Sequence, residues 1–209
     1  MLKLMPDLIV LDTCVLISNV MREGLLSLAR QGCYLPVWSA VIGDEWRRNA
    51  ARLWAMPAQD VQAQWDTLQH DWPRACLGDV SAWKEGLRRS DPKDMHVVAA
   101  ARKAAGDPAG VRRVAIVTRN VRDFHRGELY HLGLELLDPD QLLCRCLAHH
   151  PQAVQAMLAA VPAYAMAHGR EPEALETILR RERLFRFNRL VHALDREGAP
   201  PATTVPVPA

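Results

Sequence analysis

Four acidic residues and one asparagine are candidates for a site that hydrolyses a bond with the help of a metal ion. Asp12 directly follows the apolar run 8–11, and Asn120 and Asp123 follow a second apolar run, 114–117. Short apolar runs of this kind are typical of strands buried on both faces of a parallel sheet. Since ligands bind such sheets outside the carboxyl ends of the strands, these polar residues are predicted to line a common crevice.

Two further acids stand near the starts of predicted helices. Ser39 is predicted to cap a long helix, and Glu45 lies on the inward face of that helix. The segment 91–94, Asp-Pro-Lys-Asp, has an acid at the N-cap, proline at N1 and Asp94 at N3, a combination that predicts a helix start. We therefore predict that Glu45 and Asp94 face the same crevice as the residues that follow the strands.

Carboxylates that converge without enough basic partners repel one another, and a cation stabilises such a cluster. Oxygen ligands without paired Cys or His spacing are those that Mg²⁺ and Mn²⁺ prefer. Because these ions keep water and accept phosphate oxygens, the cluster indicates hydrolysis of phosphodiester bonds. The structural alternative is that Asp12 and Asp94 only cap helices and that Glu45 is an exposed helix residue.

The elements that must position these residues alternate between strand and helix, which predicts an α/β fold with a parallel sheet covered on both faces. Strands are predicted at 8–11, 34–38, 114–118 and 134–137, the second as a short or edge strand because it contains Pro36. Helices are predicted at 16–29, 40–53, 59–70, 81–89, 92–105 and 139–147. All six tryptophans fall between Trp38 and Trp83 and are assigned to the core rather than to base stacking.

After Pro151 the pattern is helical only, with amphipathic candidates at 152–168 and 173–194. We predict a catalytic α/β domain over residues 1–148 and a helical extension over 149–197. Residues 198–209 are rich in proline and small residues, so we expect a disordered tail.

Bulk composition is that of a soluble globular protein, with 49% apolar and 24% charged residues and a net charge of +2. Five cysteines without CxxC spacing indicate neither a disulfide framework nor a zinc site, and we expect a reduced, cytoplasmic protein without a membrane span. Between Lys84 and Arg126 there are eleven basic and five acidic residues, either a modest footprint for a polyanion or a solvated surface.

Four segments in this order resemble the PIN-domain family, and within it the VapC-type ribonuclease toxins of toxin–antitoxin pairs. They are Leu-Asp-Thr-Cys-Val-Leu, Trp-Ser followed by Asp-Glu-Trp-Arg-Arg-Asn, Asp-Pro-Lys-Asp-Met-His-Val-Val-Ala-Ala-Ala, and Val-Thr-Arg-Asn-Val-Arg-Asp-Phe. The resemblance covers residues 8–147, about two-thirds of the chain, and rests on four motifs of compatible spacing.

The resemblance implies a three-layer α/β/α sandwich and a Mg²⁺- or Mn²⁺-dependent endoribonuclease that leaves a 5′-phosphate. Its partners would be an RNA substrate, an antitoxin protein and, in a homodimer, a second copy of the chain. By this resemblance the metal ligands are Asp12, Glu45 and Asp94. Asn120 or Asp123 would complete the catalytic site. The substrate-binding residues would be Thr13, Thr118 and Arg119.

Two departures distinguish this chain from the family pattern. Asn120 stands where family members often have an acid, and the helical extension lies beyond the usual end of a compact toxin. The alternative from another class is a catalytically idle PIN-like module that binds RNA or assembles with partners. A phosphatase of the haloacid dehalogenase type would also begin with an Asp after the first strand, but it would require an acid where this chain has Cys14.

Overall fold

A computed structural model describes residues 3–106, 112–166 and 171–198. These residues form a four-stranded sheet in which every pair of neighbouring strands is parallel. The strands are β1 (Leu8–Leu11), β2 (Leu35–Val37), β3 (Val114–Val117) and β4 (Leu134–Leu137). All four strands lie where the sequence predicts them, and the α/β class is confirmed.

Ten α-helices connect and flank these strands within the described residues. They are α1 (Thr13–Leu16), α2 (Asn19–Arg30), α3 (Ala40–Leu53), α4 (Ala58–Asp71), α5 (Met95–Ala105), α6 (Arg126–His131), α7 (Pro139–His149), α8 (Pro151–Met166), α9 (Leu175–Arg181) and α10 (Phe185–Gly198). Two 3-10 turns, Ser81–Lys84 and Val121–Asp123, complete the described elements. The arrangement is compatible with a three-layer sandwich.

The order of the strands places the central pair where ligands bind. The sheet runs β2-β1-β3-β4, so the chain leaves β1 towards one edge and later returns to build β3 on the other side of β1. Every residue of β1 and β3 is buried, which explains their uninterrupted apolar sequences. Strand β2, with Pro36, lies at the edge as predicted. The strand order therefore reverses between β1 and β3, and the crevice at such a point is where open α/β sheets bind ligands.

Three helix predictions are wrong in detail, each for a local reason. The helix predicted at 16–29 is divided into α1 and α2, because the Ser18 hydroxyl accepts a hydrogen bond from the Met21 amide and starts α2 afresh. The helix predicted at 81–89 is only the short 3-10 turn, and Gly86, with φ of 81°, turns the chain away. The helix predicted at 173–194 is broken into α9 and α10, because Arg183 adopts a left-handed φ of 61°.

Tryptophan side chains form the contact between α3 and α4, as their assignment to the core predicts. Trp65 of α4 packs against Trp38 and Trp46, with ring centroids 5.9 and 5.5 Å away. Gly43 of α3 faces the same ring, and a Cβ atom there would lie 2.3 Å from Trp65 Cζ2. The close approach of α3 and α4 therefore depends on the missing side chain at position 43.

The C-terminal helices pack on the sheet-bearing part of the chain. Helix α8 packs against α2, and α10 packs against α7. The division into residues 1–148 and 149–197 stays a prediction, and the tail predicted over 198–209 lies outside the described residues from position 199 onwards. Across the described ranges, no helix combines the length and the apolar character needed to cross a membrane.

Candidate active site

Asp12 lies at the carboxyl end of β1, and its side chain is 4% exposed. Its Oδ2 accepts a hydrogen bond of 2.6 Å from the Thr118 hydroxyl and one of 3.0 Å from the Cys14 thiol. Although Asp12 occupies the N-cap position of α1, its carboxylate makes no capping hydrogen bond to that helix. The alternative that Asp12 serves as a helix cap is therefore wrong, and its carboxylate is oriented from the neighbouring strand β3.

The hydroxyls of Thr118 and Thr13 position carboxylates. Thr118 is fully buried. Besides donating to Asp12, its hydroxyl accepts a 3.0 Å hydrogen bond from the backbone amide of Asn120. Thr13 is 4% exposed and donates to Glu45 Oε2 at 3.0 Å. Both hydroxyls lie beside the acids as predicted. Their direct contact with substrate stays a prediction, and the burial of both side chains argues against it.

Glu45 on α3 is held by His96 as well as by Thr13. His96 is buried on α5, and its Nε2 lies 3.4 Å from Glu45 Oε2. Its Nδ1 lies 2.7 Å from the Lys93 carbonyl, which can only accept, so Nδ1 carries a proton. The Nε2 atom makes no hydrogen bond within the described residues and is placed to pair with Glu45 by charge when the ring is protonated. The contact with His96, followed by the hydrogen bond from Thr13, lowers the pKa of Glu45. Glu45 is therefore an oriented carboxylate and not an exposed helix residue.

His96 has no role in the sequence prediction, although it lies within the motif that contains Asp94. A buried histidine two residues after a candidate ligand, on the first turn of a helix, is the signal that could have identified it. Only the tertiary contact between α3 and α5 shows that its partner is Glu45.

Asp94 occupies the N-cap position of α5, one residue before the helix starts at Met95. The regular helix α5 starts at Met95, three residues later than predicted, because residues 92–94 form a turn. In this turn the Asp91 carboxylate accepts from the Lys93 amide at 2.9 Å, and the Asp91 carbonyl accepts from the Asp94 amide at 2.9 Å. Asp91 nevertheless makes the hydrogen bonds predicted for it, since its carbonyl also accepts from the Met95 amide at 3.1 Å. The Asp94 side chain makes no capping hydrogen bond to α5, so the capping alternative fails here as well.

Burial and the charges of Asp12, Asp123 and Asp91 raise the pKa of Asp94 to about 6, while His96 acts weakly in the opposite direction. The charges of Asp12 and Asp123 both act on the Asp94 carboxyl group, so the three acids share one electrostatic environment, as predicted from the strand ends. Asn120 is exposed and carries no charge. Of the two residues proposed for the fourth position, only Asp123 carries a charge that raises the pKa of Asp94, and which of them completes the site stays a prediction.

The donor chemistry and the charge of this cluster fit a hard divalent cation. A carboxyl group that resists ionisation beside other carboxylates is in the state that a bound cation would relieve. The oxygen donors of Asp12 and Asp94 are of the type that Mg²⁺ and Mn²⁺ bind. Among the described residues, no group of three or more acidic, histidine or cysteine side chains is placed to hold a metal ion.

Cys14 supports the acid cluster and does not act as a nucleophile. Burial, followed by the charge of Asp12, raises the pKa of the Cys14 thiol to about 12, so the thiolate that nucleophilic catalysis requires is scarce at neutral pH. Its sulfur donates to Asp12 and accepts a 3.2 Å hydrogen bond from the Arg119 amide. The sequence prediction assigned Cys14 no such role, and all five cysteines are free thiols.

Glu128 fastens the loop that precedes Asp94. Its carboxylate accepts hydrogen bonds from three consecutive amides, those of Arg88 (2.8 Å), Arg89 (3.1 Å) and Ser90 (3.0 Å), and from the Ser90 hydroxyl at 2.9 Å. These hydrogen bonds lower the pKa of Glu128 although burial acts in the opposite direction. Glu128 thereby ties the loop leading to Asp94 to helix α6, which follows the site residues of the β3 loop.

Glu128→Ala is expected to lower the free energy of unfolding by about 2 kcal/mol, because four partly exposed hydrogen bonds to the loop 88–90 are lost together. Urea denaturation followed by circular dichroism measures this difference. Glu85→Ala is the control, since Glu85 is an exposed residue of the same region and its carboxylate accepts none of these bonds. Equal stability of the two variants would contradict the role given to Glu128.

Arg119, the residue predicted to bind substrate, contacts the C-terminal helices. Its guanidinium Nη2 donates to Glu182 Oε2 in the turn between α9 and α10, and the Ser18 hydroxyl donates to the same oxygen at 2.8 Å. The side chain of Glu182 is 10% exposed. The helical extension thus reaches the edge of the candidate site.

Comparison of the chain with protein-family models, with curated proteins and with solved structures finds no match. The function is therefore argued from the residues and geometry of the site.

Proposed function

We propose that this chain is a metal-dependent endoribonuclease with a PIN-like three-layer α/β/α sandwich, and that Asp12, Asp94 and Glu45 hold Mg²⁺ or Mn²⁺. The observation that carries the proposal is the buried Asp12 carboxylate at the carboxyl end of β1, held by Thr118 and Cys14 and sharing its electrostatic environment with Asp94 and Asp123. These acids stand at the point where the strand order reverses, which is where α/β sheets bind their ligands.

In this proposal Asp12, Asp94 and Glu45 would hold the ion, directly or through water. The ion would lower the pKa of a bound water and offset the charge that develops on the phosphate. Thr118 and Cys14 fix the Asp12 carboxylate, and Thr13 and His96 fix that of Glu45. Asp123 orients the attacking water beside Asp94.

An RNA substrate fits the basic residues that surround the acids. Lys93 and Arg122, next to Asp94 and Asp123 in the chain, are both exposed, as are Arg88, Arg89 and Arg126. Cations in these positions can contact phosphates on either side of the cleaved bond. With the motif resemblance, this supports a toxin of a toxin–antitoxin pair, which an antitoxin would neutralise and which could act as a homodimer.

The proposal is tested by measuring cleavage of a structured RNA in Mn²⁺ by the wild type and by the double variant Asp12→Asn/Asp94→Asn. We expect the rate to fall at least about a hundredfold, since a loss of roughly 3 kcal/mol of transition-state stabilisation is typical when charged site groups are removed. Asp44→Asn is the matched control, because Asp44 is an exposed acid beside Glu45 on α3.

Undiminished cleavage by the double variant would refute the assignment of these acids. RNA binding by the wild type with no cleavage in Mn²⁺ or Mg²⁺ would refute the nuclease and favour the RNA-binding or assembly module.

A further inference from the structure

A partly buried ion pair joins the edge of the candidate site to the C-terminal helices. Arg119 directly follows Thr118, the residue that orients Asp12, and its guanidinium is paired with Glu182. The Ser18 hydroxyl, at the N-cap of α2, donates to the same Glu182 oxygen. A carboxylate therefore accepts from both a guanidinium and a hydroxyl at the start of the loop that follows β3.

These two donors form a subsite suited to phosphate. A guanidinium and a hydroxyl at a helix N-terminus are groups that bind phosphate oxygens, and a carboxylate resembles phosphate in charge and in accepting ability. The Nε atom of Arg119 is buried and has no acceptor among the described residues. The Glu182 carboxylate thus leaves a buried donor of the guanidinium unused, and a phosphate, with more oxygens, can satisfy it.

The backbone holds Glu182 in this position. Glu182 ends helix α9, and Arg183 follows it with a left-handed φ of 61°. The amides of Arg183 and Leu184 donate to the carbonyls of Arg180 and Leu179 at 3.0 and 2.9 Å, which closes the turn. Leu184 is buried, so the turn is also anchored by packing. Glu182 is therefore presented to Arg119 by a defined turn rather than by a mobile surface chain.

We infer that Glu182 occupies a subsite for an RNA backbone phosphate formed by Arg119 and Ser18, so that the helical extension and the RNA compete for it. The inference rests on the proposed function for the identity of the ligand. A phosphate that approaches Arg119 meets the charge of Glu182 first, and it binds only when the carboxylate is displaced. The extension therefore lowers the affinity of this chain for its own substrate.

The test is the affinity of the full chain for a fluorescein-labelled single-stranded RNA, measured by fluorescence anisotropy in EDTA at low salt. Glu182→Gln keeps a group that accepts from Ser18 but loses the charge that pairs with Arg119. We expect it to bind the RNA about five- to tenfold more tightly, because the contact of one phosphate with Arg119 no longer competes with a partly buried ion pair. The slope of log K against log salt should steepen by about one.

Glu176→Gln is the matched control, because Glu176 lies on the same helix α9 and pairs with Arg180 at the surface. It removes the same charge and should change the affinity less than about twofold. Arg119→Gln combined with Glu182→Gln should return the affinity to the wild-type level or below. Thermal unfolding of each variant verifies that the fold is retained.

An equal gain for Glu176→Gln, or unchanged or weaker RNA binding by Glu182→Gln, would overturn the inference. Because binding is measured without a divalent ion, the outcome is separate from that of the nuclease proposal. Tighter binding by Glu182→Gln with no cleavage by either protein in Mn²⁺ would refute the nuclease and leave the competition between Glu182 and phosphate intact.

Discussion

Asp94→Asn is expected to make the protein more stable at neutral pH and to lower strongly the RNA cleavage that we propose for it. Burial and the neighbouring acids raise the pKa of the Asp94 carboxyl from 3.8 to about 6. The folded state therefore prefers the protonated form. The stability that this preference contributes is complete below pH 3.8 and is lost as the pH rises through about 6. At neutral pH the wild type carries a repelled carboxylate that asparagine replaces with a neutral group of the same shape.

We expect a gain of about 1 kcal/mol at pH 7.5 after discounting for solvent screening, or roughly 2–4 °C in Tm. The gain should disappear near pH 4, where the wild-type carboxyl is largely protonated. Differential scanning calorimetry at the two pH values measures both quantities. Cleavage of RNA in Mn²⁺ should fall about a hundredfold or more in the same variant, because a ligand of the proposed ion is lost.

Asp44→Asn serves as the control for Asp94→Asn, since it removes an exposed charge nearby on α3. Its Tm should stay within about 1 °C of the wild type, as expected for an exposed charge. Added Mn²⁺ should raise the Tm of the wild type and of Asp44→Asn but not that of Asp94→Asn. If Asp94→Asn were less stable than the wild type at pH 7.5, the electrostatic account of the cluster would be wrong.

Gly43→Ala is expected to destabilise the fold by about 2–3 kcal/mol, although alanine is the better helix former. The new Cβ would lie 2.3 Å from Trp65 Cζ2, and the indole cannot swing away because it packs against Trp38 and Trp46. Helices α3 and α4 must then separate. Guanidinium denaturation followed by tryptophan fluorescence measures the loss and reports on the same contact.

Gly24→Ala provides the comparison for Gly43→Ala, because Gly24 is also a buried glycine within a helix. Its Cβ would meet the Met157 sulfur at 3.3 Å, and a methionine side chain can adjust. We expect this variant to lie within about 0.5 kcal/mol of the wild type or to be more stable. A larger loss at position 24 than at position 43 would contradict the packing argument.

The strands and the acids that follow them could be predicted because local pattern determines them. Strands β1 and β3 are buried on both faces, so their sequences are uninterrupted apolar runs, and the polar residues after them must face the carboxyl edge. The position of β2 at the sheet edge follows from Pro36 alone. The convergence of Asp12, Asp94 and Asp123 then follows from the parallel arrangement.

The side chains that orient the acids could not be predicted, because their partners are distant in the chain. His96 contacts Glu45, 51 positions earlier, and Glu182 pairs with Arg119 across 63 positions. No periodicity signals such pairs. The helix breaks at Ser18 and Arg183 were missed for a related reason, since apolar spacing continues across both positions while the backbone does not.

The hydrogen bond from Thr118 to Asp12 joins residues 106 positions apart in the chain. Pairing of β1 with β3 therefore requires a long loop to close, which is the kind of contact that slows folding. A chain still under synthesis that has not reached β3 lacks Thr118 and therefore the hydroxyl that orients the Asp12 carboxylate. If the proposed function holds, the chain therefore cannot complete its site until synthesis has passed β3.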